Sequence, residues 1–548
     1  MIHASSFRYH KSNTLRSWID SCIFRDKRKH DATLYRKQNS LYVIGGLAMS
    51  VNKMLKVAIL TLFICLAAGA GVFVYNANAT YKVSSNFIAL PLNFDPETSS
   101  SVVDFENSTI KVYGGFVKGI QKVPASGNYL VVRALSPLPE VYVKTEAAKS
   151  ISVMIENINP DFYAKRFANS QFKMTKLNVN TLLIDLKVKA GEEATIVPDK
   201  PNAADQAGEF KYVILGDNRD GYDTFEQMIE QINGIKPIFV IDNGDLVFSG
   251  KSNQYRLFDR LTTRIGSTLC TTLGNHDIRG DGRETYTMLY GPPYYSFDFM
   301  DSHFIFLDSS PGWAEKRAIS DEQYSWLEND LKKAGGKRLF VVSHIPPHDP
   351  RSNVTKNEIA NYANQAKNGE SWAEQKLDSY FENKNMSHGF QDPDEAIKFE
   401  TLMSQYRVDT VYLSHIHSNF EYYKDGVRYL ISGGAGAELL TENSYYHYLV
   451  AKIGDFNTLT MIELPSPVNN YIPRFVAAAK LFYEAFYLEN AASVILMLIG
   501  LAILALLIII KLYFKKKQSI TIFGKWVGDI VEFAVKRHKE LFRNKNQP

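Results

Sequence analysis

Five short apolar runs, each ending in Asp, Asn, His or Ser, constrain this chain more than any other feature. Tyr212-Val213-Ile214-Leu215 leads into Gly216-Asp217-Asn218-Arg219, and Ile238-Phe239-Val240-Ile241 leads to Asn243-Gly244-Asp245. The run around Leu269 to Leu273 reaches Gly274-Asn275-His276-Asp277. Leu339-Phe340-Val341-Val342 reaches Ser343-His344-Ile345-Pro346, and Thr410-Val411-Tyr412-Leu413 reaches Ser414-His415-Ile416-His417. Helical stretches at 222–233, 321–334 and 394–406 lie between them. Such alternation predicts an α/β domain from about 210 to 464. In open α/β sheets the strand C-termini converge on one edge, where ligands bind. Carboxylate and imidazole together suit divalent transition metals. Two such ions roughly 3.5–4 Å apart clamp a phosphoryl group and activate water. A single histidine at a strand end is usually structural; five polar ends in succession point to a metal site.

The order Gly-Asp, Gly-Asp, Gly-Asn-His-Asp, His, His-x-His resembles the calcineurin-like metallophosphoesterase family over about 255 of the 548 residues. Tyr290-Gly291-Pro292, Phe306-Leu307-Asp308, Gln323-Tyr324-Ser325-Trp326-Leu327 and Ser432-Gly433-Gly434-Ala435-Gly436 also resemble it. The resemblance implies a four-layer α/β/β/α sandwich. It also implies hydrolysis of a phosphoester substrate by a metal-activated water, without a covalent phosphoenzyme. Two divalent or trivalent ions are implied, with Fe, Mn and Zn all suited to the ligands. Carried over by position, the first ion takes Asp217, Asp245 and His417. The second takes Asp245, Asn275, His344 and His415, with Asp245 bridging. His276 is implied as a proton donor to the leaving oxygen or a stabilising charge, and Asp277 as the group that orients its imidazole.

Three positions depart from the family pattern. Arg219 stands where the first motif commonly has a histidine, and a guanidinium is no metal ligand. The first site therefore has three matched ligands, to be completed by water, Asn218 or Asp220, or left weak. Arg219 either faces the substrate and pairs with phosphate oxygens, or forms a salt bridge to Asp220 or Asp242. Phe248 replaces the tyrosine that purple acid phosphatases place three residues after the second Asp, and Ser414 replaces a glycine, a change expected to be tolerated. Among the other histidines, His303 reads as packed and His447 as structural, while His348 and His388 lie in loops within reach of substrate. Two further functional readings stand beside the phosphoesterase: a phosphodiesterase or pyrophosphatase of lipid or cell-envelope substrates, and a tethered binding module with impaired catalysis.

The flanks carry a second message. The net charge of +4 is an average over unlike parts. Residues 1–56 hold 11 Lys+Arg against 3 Asp+Glu, residues 511–548 hold 10 against 3, and the remainder holds 41 against 52. Each basic end abuts an uncharged apolar run, 57–75 and 491–510, in the pattern of the positive-inside rule. Ala77-Asn78-Ala79 after the first run fits a signal-peptidase site. The expected organisation is a basic extension (1–56, with 1–48 an over-extended start), a signal peptide or signal anchor (57–79) and a β-sandwich-like domain (80–207). A catalytic domain (208–465), a connector (466–490), a transmembrane helix (491–512) and a basic tail with an amphipathic helix (513–548) follow. The β-sandwich ahead of the catalytic domain resembles the purple acid phosphatase layout, without its signature. This organisation places the catalytic domain outside the cytoplasm, the C-terminus inside, and a lipid bilayer among the partners. No nucleic-acid binding is expected. The three cysteines, Cys22, Cys65 and Cys270, leave the exported part without a disulfide.

Overall fold

In the computed structural model the described residues are 87–123, 127–167, 172–201, 208–310, 317–350, 388–439, 444–454, 457–464 and 471–483, with helical stretches within 59–69 and at 495–504 and 527–537. The first 58 residues and nearly all of the polar segment 351–392 lie outside them.

From Phe87 to Ile196 the strands are short and alternate. In Ser108–Tyr113 Ile110 and Val112 turn inward while Thr109 faces solvent, the period of two that marks a sheet with one covered face. A six-stranded and a five-stranded sheet arise this way. Val112 and Val143 from one sheet and Ile120, Val132, Val153 and Ile184 from the other join a single apolar core.

Beyond Phe210 the strands change character. Phe210–Leu215, Phe239–Asp242 and Thr268–Thr271 are parallel neighbours, and His447–Ile453 and Thr458–Glu463 extend their sheet antiparallel. The second sheet runs Tyr295–Phe299, Ser302–Phe306, Arg338–Val342, Thr410–Leu413, Val427–Ser432, Asn419–Lys424, with the middle four parallel. The central strands are buried almost throughout because both of their faces are covered, whereas the edge strands Asn419–Lys424 and Thr458–Glu463 alternate. Between the sheets lies an aromatic layer in which Tyr212–Phe239, Phe239–Phe304 and Phe304–Phe340 centroids are each 4.9 Å apart. Its polar exception is internally satisfied: the Tyr212 and Tyr412 hydroxyls meet at 2.6 Å.

Helices close the outer faces. Tyr222–Ile235, Ser252–Thr262 and Gly282–Tyr290 bury Phe225, Met228, Phe258 and Leu289 against the first sheet. Asp321–Lys333 and Pro393–Gln405 bury Trp326, Leu327, Phe399 and Met403 against the second. Their starts are written locally: the Ser320 hydroxyl accepts from Gln323 N–H, and Asp392, followed by Pro393, accepts from Asp394 N–H. The result is an α/β/β/α stack.

The two regions are joined by specific bonds. Asn157 Nδ2 donates to the carbonyls of Ala134 and Leu269, and its Oδ1 accepts from Leu269 N–H, each at 2.9 Å. Trp326 Nε1 donates to the Pro96 carbonyl, and Arg133 lies over the Tyr290 ring. Cys270 is a buried free thiol.

The transmembrane helix expected at 491–512 is described only at 495–504, where the chain is helical and Leu498, Ile499 and Leu501 are exposed. Among the described residues no helix is long and apolar enough to cross a membrane. In the tail, residues 527–537 form a helix with Val531 and Phe533 exposed.

Candidate metal centre

Each of the five strands stops where its backbone turns sharply, and the turns are built from residues with side chains. Asp217, Arg219, Asp245, His415 and His417 all have positive φ, between 46° and 73°. That region is sterically costly for anything but glycine, and such residues concentrate at functional sites. Glycine is needed for a different reason, close approach. A Cβ on Gly274 would stand 2.1 Å from Asp245 N, and one on Gly433 2.3 Å from Asp217 Oδ2.

The turns bring the six expected ligands to one edge. Asp217, Asp245 and His417 form one group and Asp245, His344 and His415 another, with ligand atoms in each lying within 4.8 Å of one another. Asn275 joins through its neighbour, because His276 N–H donates to Asp245 Oδ1 at 2.9 Å. Second bonds set the free atoms. His344 Nδ1–H donates to the Asn243 carbonyl (2.8 Å) and His417 Nδ1–H to the Glu438 carbonyl (2.6 Å), which turns both Nε2 lone pairs inward. Asp217 Oδ2 accepts from Ser414 Oγ (2.7 Å) and from His415 N–H (2.8 Å). Its Oδ1 lies 3.6 Å from His417 Nε2, and Asp245 Oδ1 lies 3.4 Å from His344 Nε2.

Among the described residues, the buried atoms without hydrogen bonds include five on the expected ligands: Asp217 Oδ1, Asn275 Oδ1, His344 Nε2, His415 Nδ1 and His417 Nε2. Buried polar atoms are otherwise paired in folded proteins, and these five are all metal-ligand types. The residues therefore fit a pair of divalent cations, whose hard and borderline character matches carboxylate, amide oxygen and imidazole. The electrostatics agree. Burial and the neighbouring His344 push the His415 imidazole well below its usual range, toward the neutral form that binds metal. Asp245 is held in the carboxylate form: burial opposes this, but its neighbours, His344 and the Arg219 guanidinium foremost, outweigh it.

Several roles differ from those expected. Arg219 pairs with neither Asp220 nor Asp242. Its Nε and Nη2 donate to Asp245 Oδ2 at 3.1 and 3.0 Å, and its Nη1 to Glu438 Oε1 at 2.8 Å. The guanidinium stays charged because Asp245, Asp217 and Glu438 together outweigh a burial that by itself would lower its pKa. Asp242 is instead bonded by Asn218 Nδ2, and burial pushes its carboxyl well above the usual range. That bond leaves Asn218 Oδ1 buried and unpartnered, whereas Asp220 is exposed.

Asp277 does not orient the His276 ring. Its carboxylate accepts from the backbone N–H groups of Leu246, Val247 and Gly274, bracing the second and third turns. The ring is held by the Phe248 carbonyl at Nδ1 (2.5 Å) and by Arg279 Nη2 at Nε2 (2.9 Å). Because Arg279 can only donate, His276 is the neutral Nδ1–H tautomer here, and burial keeps its pKa below the usual value. Arg279 went unread in the sequence, although it stands three residues after the histidine it binds, a spacing that a turn brings into contact. Ser414 also carries more than expected, since its hydroxyl is one of two donors that fix Asp217.

The remaining histidines separate cleanly. His388 comes within 5.0 Å of His415, ring to ring, whereas His348 is tied to Glu400. His303 is not simply packed: Asp298 flanks Nδ1 at 2.7 Å and Asp330 flanks Nε2 at 2.8 Å. It lines a cleft of about 770 Å³ between the two regions, which none of the six candidate ligands lines. His447 is buried, bonded to Ser432 and the Tyr445 carbonyl.

Comparison with known proteins follows the same residues. Residues 210–419 match the family model of the calcineurin-like phosphoesterases. The chain is 29% identical over 142 residues to a glycerophosphodiester phosphodiesterase GpdQ of Enterobacter lignolyticus, a match covering 24% of this chain and 51% of that one. It is 27% identical over 108 residues to a probable cyclic nucleotide phosphodiesterase of Fibrobacter succinogenes, covering 19% and 40%. The chain thus spans about half the length, or less, of the curated relatives it matches. Among solved structures, a purple acid phosphatase of yellow lupin aligns at a TM-score of 0.38 and 13% identity, covering 60% of this chain and 70% of that one. Calcineurin-like phosphoesterases use two divalent metals, and the residues gathered here are of the type that holds them. Residues 210–419 thus carry the sequence pattern of the calcineurin-like phosphoesterases.

Proposed function

We propose that this chain hydrolyses phosphodiesters at the cluster built around Asp245. The observation that carries the reading is the set of five buried, unpartnered donor atoms converging from four strand ends. Asp217, Asp245 and His417 would hold one ion, and Asp245, Asn275, His344 and His415 the other. When bound, the pair supplies an activated water and neutralises charge on the phosphoryl oxygens. The protein does the rest. The Asn243 and Glu438 carbonyls fix the ring orientation of His344 and His417. Arg279, half-buried at the rim, donates to His276 and is placed to turn toward a phosphate oxygen. That movement would leave His276 Nε2 open to carry a proton at the leaving oxygen. Phe248, exposed beside His276 with ring centroids 5.5 Å apart, offers an apolar wall for an organic substituent. The preference for diesters is supported by the partial relatives, which are named as phosphodiesterases.

A second element of the proposal is a membrane tether. Its support is the pair of uncharged apolar runs, each flanked by basic residues, which orient the domain outside the cytoplasm. On that reading lipid-linked or cell-envelope diesters are the natural competitors to soluble ones. The test is turnover of bis(p-nitrophenyl) phosphate, p-nitrophenyl phosphate and glycerophospholipid vesicles by the full chain, stripped of metal and reloaded with Mn²⁺ or Zn²⁺. Faster hydrolysis of the diesters is expected. Equal or greater turnover of the monoester would overturn the diester assignment, and no turnover with both sites loaded would favour a binding module.

A further inference from the structure

The cluster is not symmetrical, and the cause is Arg219. On one side His344 Nε2, His415 Nδ1 and Asn275 Oδ1 carry no hydrogen bond, and Asp245 turns Oδ1 toward His344. Every donor expected there is free of a competing cation. On the other side only Asp217 Oδ1 and His417 Nε2 are open. The remaining carboxylate oxygen, Asp245 Oδ2, is taken by two N–H groups of a guanidinium whose side chain is only 8% exposed. A fixed positive charge therefore occupies one of the two oxygens that Asp245 offers, beside the Asp217–His417 side, and like charges at such distances repel strongly where water is excluded. The same guanidinium has a second seat. Glu438, with its side chain 57% exposed, accepts Nη1 and is able to keep the arginine once it lets go of Asp245.

We infer that Arg219 makes the two sites unequal: the Asn275–His344–His415 side fills first, and the Asp217–His417 side takes an ion only as Arg219 releases Asp245 and leans on Glu438. Arg219 is thus a gating residue for the second ion, and the charge it supplies stands in for that ion until the exchange. The inference rests on the metallophosphoesterase reading of the cluster but not on any substrate, so a wrong substrate assignment leaves it standing.

The test is a titration of the metal-free full chain with Mn²⁺, followed by calorimetry and by electron paramagnetic resonance. The wild-type chain is expected to bind one equivalent at least ~100-fold more tightly than the second. It should give a magnetically coupled two-manganese spectrum only at high Mn²⁺. In Arg219→Ala and Arg219→Gln the first equivalent keeps its affinity, which also reports correct folding. The second should tighten ~10-fold or more, and the coupled spectrum should appear at correspondingly lower Mn²⁺. Two equivalents of equal affinity in the wild-type chain would overturn the inference, as would an unchanged second affinity in both variants. Loss of the first equivalent in both variants would also overturn it, because the guanidinium would then be a support of the tight site rather than a competitor at the weak one.

Discussion

The described residues form two pairs of sheets, and the candidate metal ligands gather on the second. Between Phe87 and Ile196 the strands alternate, one sheet face meets the core and the other meets water. From Phe210 onward the central strands of each sheet are covered on both faces, by an aromatic layer inside and by helices outside. The difference governs where polar groups go. In the first region many of them lie along the outward strand faces, as at Thr109. In the second the central strands are buried, and the parallel ones deliver Asp, Asn and His from their ends to a single edge. Burial there leaves their donor atoms unpaired, which water would otherwise prevent.

This contrast is open to direct attack. The largest effect should follow from Asp245→Ala, which removes the carboxylate shared by both groups. Activity is expected to fall on the order of 10⁴-fold or more together with metal content. Full activity or full metal occupancy, by assay and elemental analysis, would end the assignment. Next comes the aromatic layer. Phe304→Ala leaves a void among Tyr212, Phe239 and Phe340 and should cost about 3–5 kcal/mol of unfolding free energy, measured by denaturant titration. The metal-to-protein ratio of the fraction that remains folded should not change. If that ratio falls as well, the core and the edge are not separable as argued.

Smaller effects probe the joint and its neighbours. Asn157→Ala orphans both backbone groups of Leu269 and should cost about 1–3 kcal/mol, without altering metal binding. Ser414→Ala removes one of two donors to Asp217 and should weaken metal binding ~10-fold, with little change in stability. The slightest effect is a pH dependence at His303. Burial there would lower the imidazole pKa, but the pairs with Asp298 and Asp330 outweigh it and raise it. Its contribution is therefore fully present below the unfolded value of about 6.5 and is lost as pH rises through the folded one. The melting-temperature gap between wild type and His303→Gln should be wider at pH 6 than at pH 9; a gap that grows with pH would show that the histidine is neutral.

Much of the site was legible because it depends on local order. An apolar run of four residues followed by Gly-Asp or Gly-Asn-His-Asp announces a buried parallel strand and what stands at its end. The helix starts at Ser320 and Asp392 were equally local. The misreadings involve contacts that neighbours in sequence do not reveal. Arg219 was read as facing substrate or as pairing with the nearby Asp220 or Asp242, yet its partners are Asp245 and Glu438, the latter 219 positions away. Asp277 was assigned to its neighbour His276, but adjacent residues in a tight turn point apart, and the ring is held by a carbonyl 28 positions earlier. Ser414 looked like a tolerated change because a hydroxyl's acceptor depends on which strand end lies opposite.

The sequence by itself therefore determined which residues arrive at the edge, since strand periodicity, buried parallel strands and turn chemistry are all short-range. It also determined the charge contrast between the basic ends and the acidic middle, which is a matter of composition. Only the tertiary structure decided which oxygen of Asp245 is free and which is bound to Arg219, that His276 is held neutral, and that His303 sits between two carboxylates. Those outcomes turn on distances of about 3 Å between groups far apart in the chain, and such distances exist only once the two sheets have packed.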